Sequence, residues 1–204
     1  MTPADLPTAI REARKTELSR LGSSKALYAD TNGEMESDAV LAAAADTAHH
    51  AAETIAGWTD EDVDGTFAAA AARERERYEA IAAELSDHEV GETPALVESL
   101  AGLETTAERL GGLVGWTLVS ETKASQFSGF FTGPADPSTA SLFREFGDEY
   151  ESLRDDLLDA LEEVCADDAD WERAETAATD AVGAAYDEYV ERLEAQGVNP
   201  KPVC

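Results

Sequence analysis

Apolar residues recur every three or four positions through most of this 204-residue chain. That spacing is typical of one face of an α-helix, and no stretch shows the period of two that marks a β-strand. The pattern predicts six helices, at about residues 5–29, 37–58, 66–85, 94–118, 138–165 and 169–196. The predicted fold is an all-α bundle in a single domain, with helices 1–3 in residues 1–93, helices 4–6 in 94–196 and an extended tail in 197–204.

One long segment, residues 126–137, lacks a clear helical pattern but is rich in aromatic residues. Phe127, Phe130 and Phe131 could bind a partner or gate a ligand there. Alternatively, they close the end of the bundle, which is the interpretation we prefer.

Three glycines in the fourth predicted helix, Gly111, Gly112 and Gly115, leave part of its surface without side chains. Such positions let a neighbouring helix approach closely, or let this helix bend. Hydrophobic residues make up 43% of the chain and many are alanine, which agrees with a core of closely packed helices.

The charge of the chain is strongly negative. Asp and Glu number 44 against 15 Lys and Arg, a net charge of −29, and the acids are spread along the whole sequence. This distribution is typical of proteins adapted to molar salt, where the Debye length is about 3 Å and self-repulsion is screened. An acidic interaction protein from an ordinary cell is the alternative. Direct binding of nucleic acid is not expected, because no basic stripe could neutralise phosphates.

Cysteine use and hydropathy bear on localisation. Cys165 and Cys204 are too few for a disulfide framework. The predicted sixth helix carries the chain roughly 40 Å away from Cys165. The tail after it spans at most about 28 Å, so Cys204 is not expected to reach Cys165 and form a disulfide. The role of Cys204 stays open. The N-terminal residues do not resemble a signal peptide and no apolar run reaches 18 residues. We expect a cytoplasmic protein with no membrane contact.

Three glutamates occupy positions where the helical periodicity calls for apolar residues: Glu17, Glu74 and Glu149. Burying an ionised carboxylate is costly unless it is paired or binds a metal. Carboxylates converging from several helices hold diiron and dimanganese centres in bundles. The alternative is that each glutamate pairs with an arginine at a helix seam, for which Arg20, Arg77 and Arg144 are available.

A second metal-type pattern lies on the second predicted helix, where Asp46 and His49 are three residues apart on the same side. His50 and Glu53 add possible ligands. Asp46, however, lies almost opposite the apolar stripe of this helix, which favours a solvated face. Nucleophile triads and phosphate-binding loops are absent, so no catalytic residue is assigned.

Three segments of the chain resemble a haloarchaeal family: residues 17–31 (ELSRLGSSKALYADT), 129–137 (GFFTGPADP) and 199–204 (NPKPVC). Members of this family are described as rubrerythrin-like and are sometimes labelled transcription antitermination proteins. The resemblance extends over the whole chain and implies a ferritin-like helical bundle.

The resemblance also implies a ligand set for iron or manganese. Rubrerythrin and its relatives use a Glu from each of two helices and a Glu-x-x-His from each of the other two. By this resemblance, Glu17 would be the glutamate ligand from helix 1. Asp46 and His49 would form the first Glu-x-x-His motif, with Asp in place of Glu, and Glu74 would be a further carboxylate ligand. Arg77 stands three residues after Glu74, no second Glu-x-x-His exists, and no Cys-x-x-Cys pair could hold a rubredoxin iron.

The sequence therefore favours a degenerate ferritin-like bundle that acts as a binding or stress-related accessory protein in a halophilic archaeon. A metal-dependent diiron or dimanganese oxidoreductase of rubrerythrin type is one alternative. A transcription regulator acting by protein contact is another. The expected partner is another protein or a second copy of the chain.

Overall fold

The computed structural model describes residues 2–58, 62–133 and 136–201, and these ranges contain nine α-helices and no β-strand. A 3₁₀ turn at Pro3–Asp5 precedes the first helix. The helices are α1 (Leu6–Ala13), α2 (Lys15–Leu21), α3 (Ser24–Asp30), α4 (Ser37–Ala56), α5 (Thr66–Ala82), α6 (Ala95–Ala101), α7 (Thr106–Thr132), α8 (Pro137–Val164) and α9 (Asp168–Ala195).

The all-α class is confirmed, but two of the six predicted helices are divided. The first becomes α1, α2 and α3, with breaks at Arg14, whose φ and ψ of −112° and 28° are not helical, and at Gly22. The fourth becomes α6 and α7. A capping box begins α7, because the Thr105 amide donates to Glu108 Oε2 at 2.8 Å and the Glu108 amide donates to Thr105 Oγ1 at 3.3 Å.

The predicted irregular segment at 126–137 is mostly helical, because α7 continues to Thr132. Phe127 and Phe131 lie one helical turn apart, and both are buried against Phe143 of α8, at ring-centroid distances of 5.1 and 5.7 Å. This packing outweighs the low helix propensity of Gly129. Phe127 and Phe131 thus belong to the core, and Phe130 is partly buried against it. That the three residues close the end of the bundle stays a prediction.

The long helices pack in two groups. Helix α4 packs mainly on α5, whereas α7 packs on both α8 and α9, and the short helices α1–α3 and α6 lie against α7 and α9. Large buried side chains fill the space between the α4–α5 pair and the α7–α8 pair. Arg77, Trp116 and Phe143 are among them, and this interior is where the candidate site lies.

Glycines allow α7 and α9 to approach closely, as predicted. A Cβ atom at Gly111 or Gly115 would collide with the backbone of Ala174 or Ala178 on α9. Gly112 instead faces Leu103. The two helices could not keep this separation with larger residues at Gly111 and Gly115.

The residues after α9 are bound to the N-terminal helices. Gly197 has a φ of +71°, the left-handed conformation that favours glycine at a helix end. Lys25 Nζ donates to the carbonyl oxygens of Asn199 and Lys201, at 2.8 and 2.9 Å. Cys204 lies outside the described residues, and Cys165 is a half-buried free thiol.

No helix in the described part of the chain combines the length and apolar character that a bilayer span requires.

Candidate functional site

A charged cluster lies inside the bundle and is organised by Arg77. Glu74 and Arg77 are one turn apart on α5, with exposed fractions of 0% and 1%. Arg77 Nη1 donates to Glu74 Oε1 at 2.5 Å. Its Nε and Nη2 atoms donate to Glu149 Oε2 on α8, at 3.2 and 3.0 Å. One guanidinium therefore pairs with two of the three glutamates that the sequence singled out.

Two aromatic side chains complete the hydrogen bonding of Glu74. Trp116 Nε1 on α7 donates to Glu74 Oε1 at 3.2 Å, and the Tyr150 hydroxyl on α8 donates to Oε2 at 3.3 Å. The Arg77 guanidinium carbon also lies 4.0 Å from the centre of the Tyr150 ring, a cation–π contact. Both carboxylate oxygens of Glu74 thus have donors, as a buried polar group requires.

Burial controls the protonation of this cluster. It raises the pKa of Glu74, while the charge of Arg77 and the hydrogen bonds from Trp116 and Tyr150 act in the opposite direction. Burial by itself would lower the pKa of Arg77. The electrostatic interactions with Tyr150, Glu74 and Glu149 outweigh this effect and raise the pKa, so the guanidinium stays charged. The pKa of Tyr150 is raised chiefly by burial, which keeps its hydroxyl protonated.

A small cavity adjoins the charged cluster, between the α4–α5 and α7–α8 pairs. Its volume is about 40 Å³, and half of the residues that line it are alanine or phenylalanine. The polar residues that reach it are Thr47, Arg77, Ser120, Lys123 and Tyr150. We call this space the inner cavity.

A larger space of about 470 Å³, here called the outer cleft, lies next to the inner cavity. The two spaces share Thr47, Lys123 and Phe127 in their walls. Charged residues dominate the lining of the outer cleft: Asp30, Asp46, Glu92, Glu188, Lys123 and Arg192. A space with a charged lining thus adjoins a smaller space with a largely apolar lining.

Asp46 and the histidines hold one wall of the outer cleft in place. The Gly91 amide donates to Asp46 Oδ1 at 3.0 Å, and His50 Nε2 lies 2.9 Å from the Gly91 carbonyl oxygen. His88 Nε2 is 3.1 Å from Asp46 Oδ1. Through these contacts α4 fixes the α5–α6 connection, residues 83–94, whose Gly91 lines the outer cleft.

The residues predicted as metal ligands do not all meet. Glu74 and Glu149 share Arg77, and Asp46 binds the α5–α6 connection. His49 packs against Tyr78, with ring centroids 5.0 Å apart and the ring planes tilted by 59°. Glu17 on α2 instead pairs with Arg14 at 3.2 Å.

These donors do not fit a dinuclear metal centre in their present arrangement. A guanidinium binds two of the carboxylates that would face the metal, and its positive charge opposes a cation between them. Within residues 2–58, 62–133 and 136–201, no three His, Cys, Asp or Glu side chains form a group that could hold a metal ion. The seam ion pair offered as an alternative by the sequence is present at Glu74 and Glu149. Metal binding itself stays a prediction.

Several residues of the site were not identified from the sequence. The sequence analysis assigned no role to Trp116, Tyr150, Ser120 or Lys123. The available signal was chemical: a buried indole or phenol needs a hydrogen-bond partner, and the sequence placed Glu74 and Glu149 at mid-stripe positions.

Compared with models of protein families, with curated proteins and with solved structures, the chain has no match.

Proposed function

We propose that this protein is a non-enzymatic, ferritin-like helical bundle that binds a small molecule between its α4–α5 and α7–α8 pairs, as a binding or stress-related accessory protein. The observation that carries the proposal is the inner cavity, with the outer cleft directly beside it and three lining residues in common. Its location also supports the ferritin-like arrangement, because ligand sites of bundles lie in the core between facing helices.

The charged cluster supports binding rather than catalysis. Arg77, Glu74 and Tyr150 satisfy one another, and the pKa shifts of Arg77 and Tyr150 keep both groups protonated at neutral pH. These two groups are thus not poised to exchange a proton near neutral pH, as a general acid or base must be. Burial raises the pKa of Glu74, but hydrogen bonds from Arg77, Trp116 and Tyr150 occupy both of its carboxyl oxygens. The cluster instead holds the helices at a fixed distance and keeps the cavity open.

The first test uses n-butanol as an uncharged probe of the cavity. Amide shifts of ¹⁵N-labelled protein should move near Thr47, Lys123 and Phe127 during titration. Ala48→Leu, which fills the inner cavity, should abolish this response. Ala72→Leu makes the same change at an exposed position of α5 and should leave the response intact. Equal responses in both variants, or none in the natural protein, would overturn the proposal.

A metal analysis of protein purified in molar salt without chelators tests the alternative. About two irons or manganeses per chain would support the rubrerythrin-type oxidoreductase, whose two-metal site is built from carboxylates and histidines. We expect a folded helical protein without stoichiometric iron or manganese.

A further inference from the structure

We infer that the ligand of this cleft is a small aliphatic amine, with its alkyl end in the inner cavity and its ammonium group in the outer cleft. The inference rests on the proposed binding function and names the class of ligand. The size of the inner cavity and the charge of the residues that line the outer cleft determine which ligand fits.

Size favours an unbranched alkyl group. The inner cavity measures about 40 Å³, whereas an apolar cavity that admits benzene has about 150 Å³. An aromatic ring would have to displace Phe127, Phe143 or Phe146, all of which are buried. The end of a short alkyl chain fits without such displacement and meets apolar walls, which favour its transfer from water.

The charge balance of the outer cleft favours a cation. Four carboxylates line it, those of Asp30, Asp46, Glu92 and Glu188, against the two basic groups of Lys123 and Arg192. Both basic groups are already paired, Lys123 with Asp30 at 2.9 Å and Arg192 with Glu188 at 2.6 Å. The excess negative charge thus lies with Asp46, which accepts a hydrogen bond from the Gly91 amide and lies 3.1 Å from His88 Nε2, and with the exposed Glu92.

A carboxylate ligand would meet unfavourable charges even at the inner cavity. Arg77 and Lys123 reach this cavity, but Glu74 and Glu149 bind Arg77 and Asp30 binds Lys123. The two cations are therefore outnumbered by three carboxylates. The net charge of −29 over the whole chain acts in the same direction.

The test compares three probes that share one alkyl chain: n-butylamine, n-butanol and butyrate. Each is titrated into ¹⁵N-labelled protein near neutral pH, at the lowest KCl concentration that preserves the helical circular dichroism. We expect n-butylamine to bind about threefold more tightly than n-butanol, a ratio typical of one partly exposed ion pair, and butyrate to bind most weakly. Ala48→Leu should abolish binding of all three, whereas Ala72→Leu should not.

A second pair of variants isolates the charge of the outer cleft. Glu92 is exposed, so Glu92→Gln should preserve the fold while it lowers amine affinity toward that of n-butanol. Glu98→Gln removes an exposed carboxylate that does not line the cleft and should change nothing. Tightest binding of n-butanol or butyrate would overturn the amine inference and leave the binding function standing. Absence of binding by all three probes would overturn both.

Discussion

At the scale of single residues, Arg77 determines the character of the bundle interior. It is 1% exposed, yet it forms hydrogen bonds to carboxylates on two helices. Buried ion pairs contribute little net stability, because desolvation offsets the attraction between the charges. Removing only one partner of such a pair is strongly destabilising, because the other charge then stays buried without compensation.

Arg77→Met should therefore destabilise the protein by about 3–5 kcal/mol. Its matched control is Glu149→Gln, which removes the partner that is 51% exposed and should cost at most about 1 kcal/mol. Guanidinium unfolding in molar KCl, followed by circular dichroism, measures both values. Equal losses would show that Glu74 is not held as a buried charge.

The raised pKa of Glu74 makes a prediction about pH. Above pH 4.5, the ordinary value for glutamate, the unfolded chain releases this proton before the folded protein does. The folded state thus binds more protons, so its stability falls as pH rises toward the raised pKa. The unfolding free energy of the natural protein minus that of Glu74→Gln should decrease between pH 4.5 and 8. An increase would mean that the charge of Arg77 outweighs burial.

At the scale of elements, the contact between α7 and α9 depends on glycine. Larger residues at Gly111 and Gly115 would collide with the α9 backbone, which cannot move as a flexible side chain can. The contact therefore fixes how these two helices pack, and through α7 it positions Trp116 and Lys123.

Gly115→Ala should destabilise the protein by about 1–3 kcal/mol, the usual cost of overpacking. The control is Gly147→Ala on α8, where an added Cβ meets no atom within 4 Å. That change should stabilise the protein by roughly 0.5–1 kcal/mol, because alanine favours the helix more than glycine does. The thermal unfolding temperatures of the two variants distinguish the effect of helix packing from that of helix propensity. Similar shifts in both variants would contradict the close contact between α7 and α9.

Elements also show where sequence reasoning reached its limit. The helices at 37–58, 66–85, 138–165 and 169–196 match α4, α5, α8 and α9 within a few residues, because apolar residues recur at helical spacing along most of their length. The breaks at Arg14 and Gly102 were missed, since the periodicity continues across them. Residues 126–132 lack a clear helical pattern in the sequence, although the packing of Phe127 and Phe131 makes them helical.

At the scale of the whole molecule, charge governs stability. A net charge of −29 on 204 residues produces repulsion throughout the fold. Several ion pairs, such as that of Lys123 with Asp30 at 2.9 Å, locally offset this repulsion. The 15 basic residues cannot neutralise 44 acids, so counterions must supply the rest.

Dialysis below 0.1 M salt should therefore unfold the protein, because the Debye length then grows to about 10 Å or more. The loss of helical circular dichroism measures this, and return to molar KCl should restore the signal. An unchanged signal at low salt would contradict adaptation to high salt.

The sequence by itself determined the helical class, the acidic surface and three polar positions inside apolar stripes, Glu17, Glu74 and Glu149. These properties follow from local periodicity and composition, which need no knowledge of how helices meet. Only the tertiary structure decided what the polar positions do. Arg77 pairs with Glu74 and Glu149 because α5 and α8 face each other, while Glu17 on the separate helix α2 pairs with Arg14. The cavity beside Arg77 has no sequence signature, because its walls come from four helices that are distant along the chain.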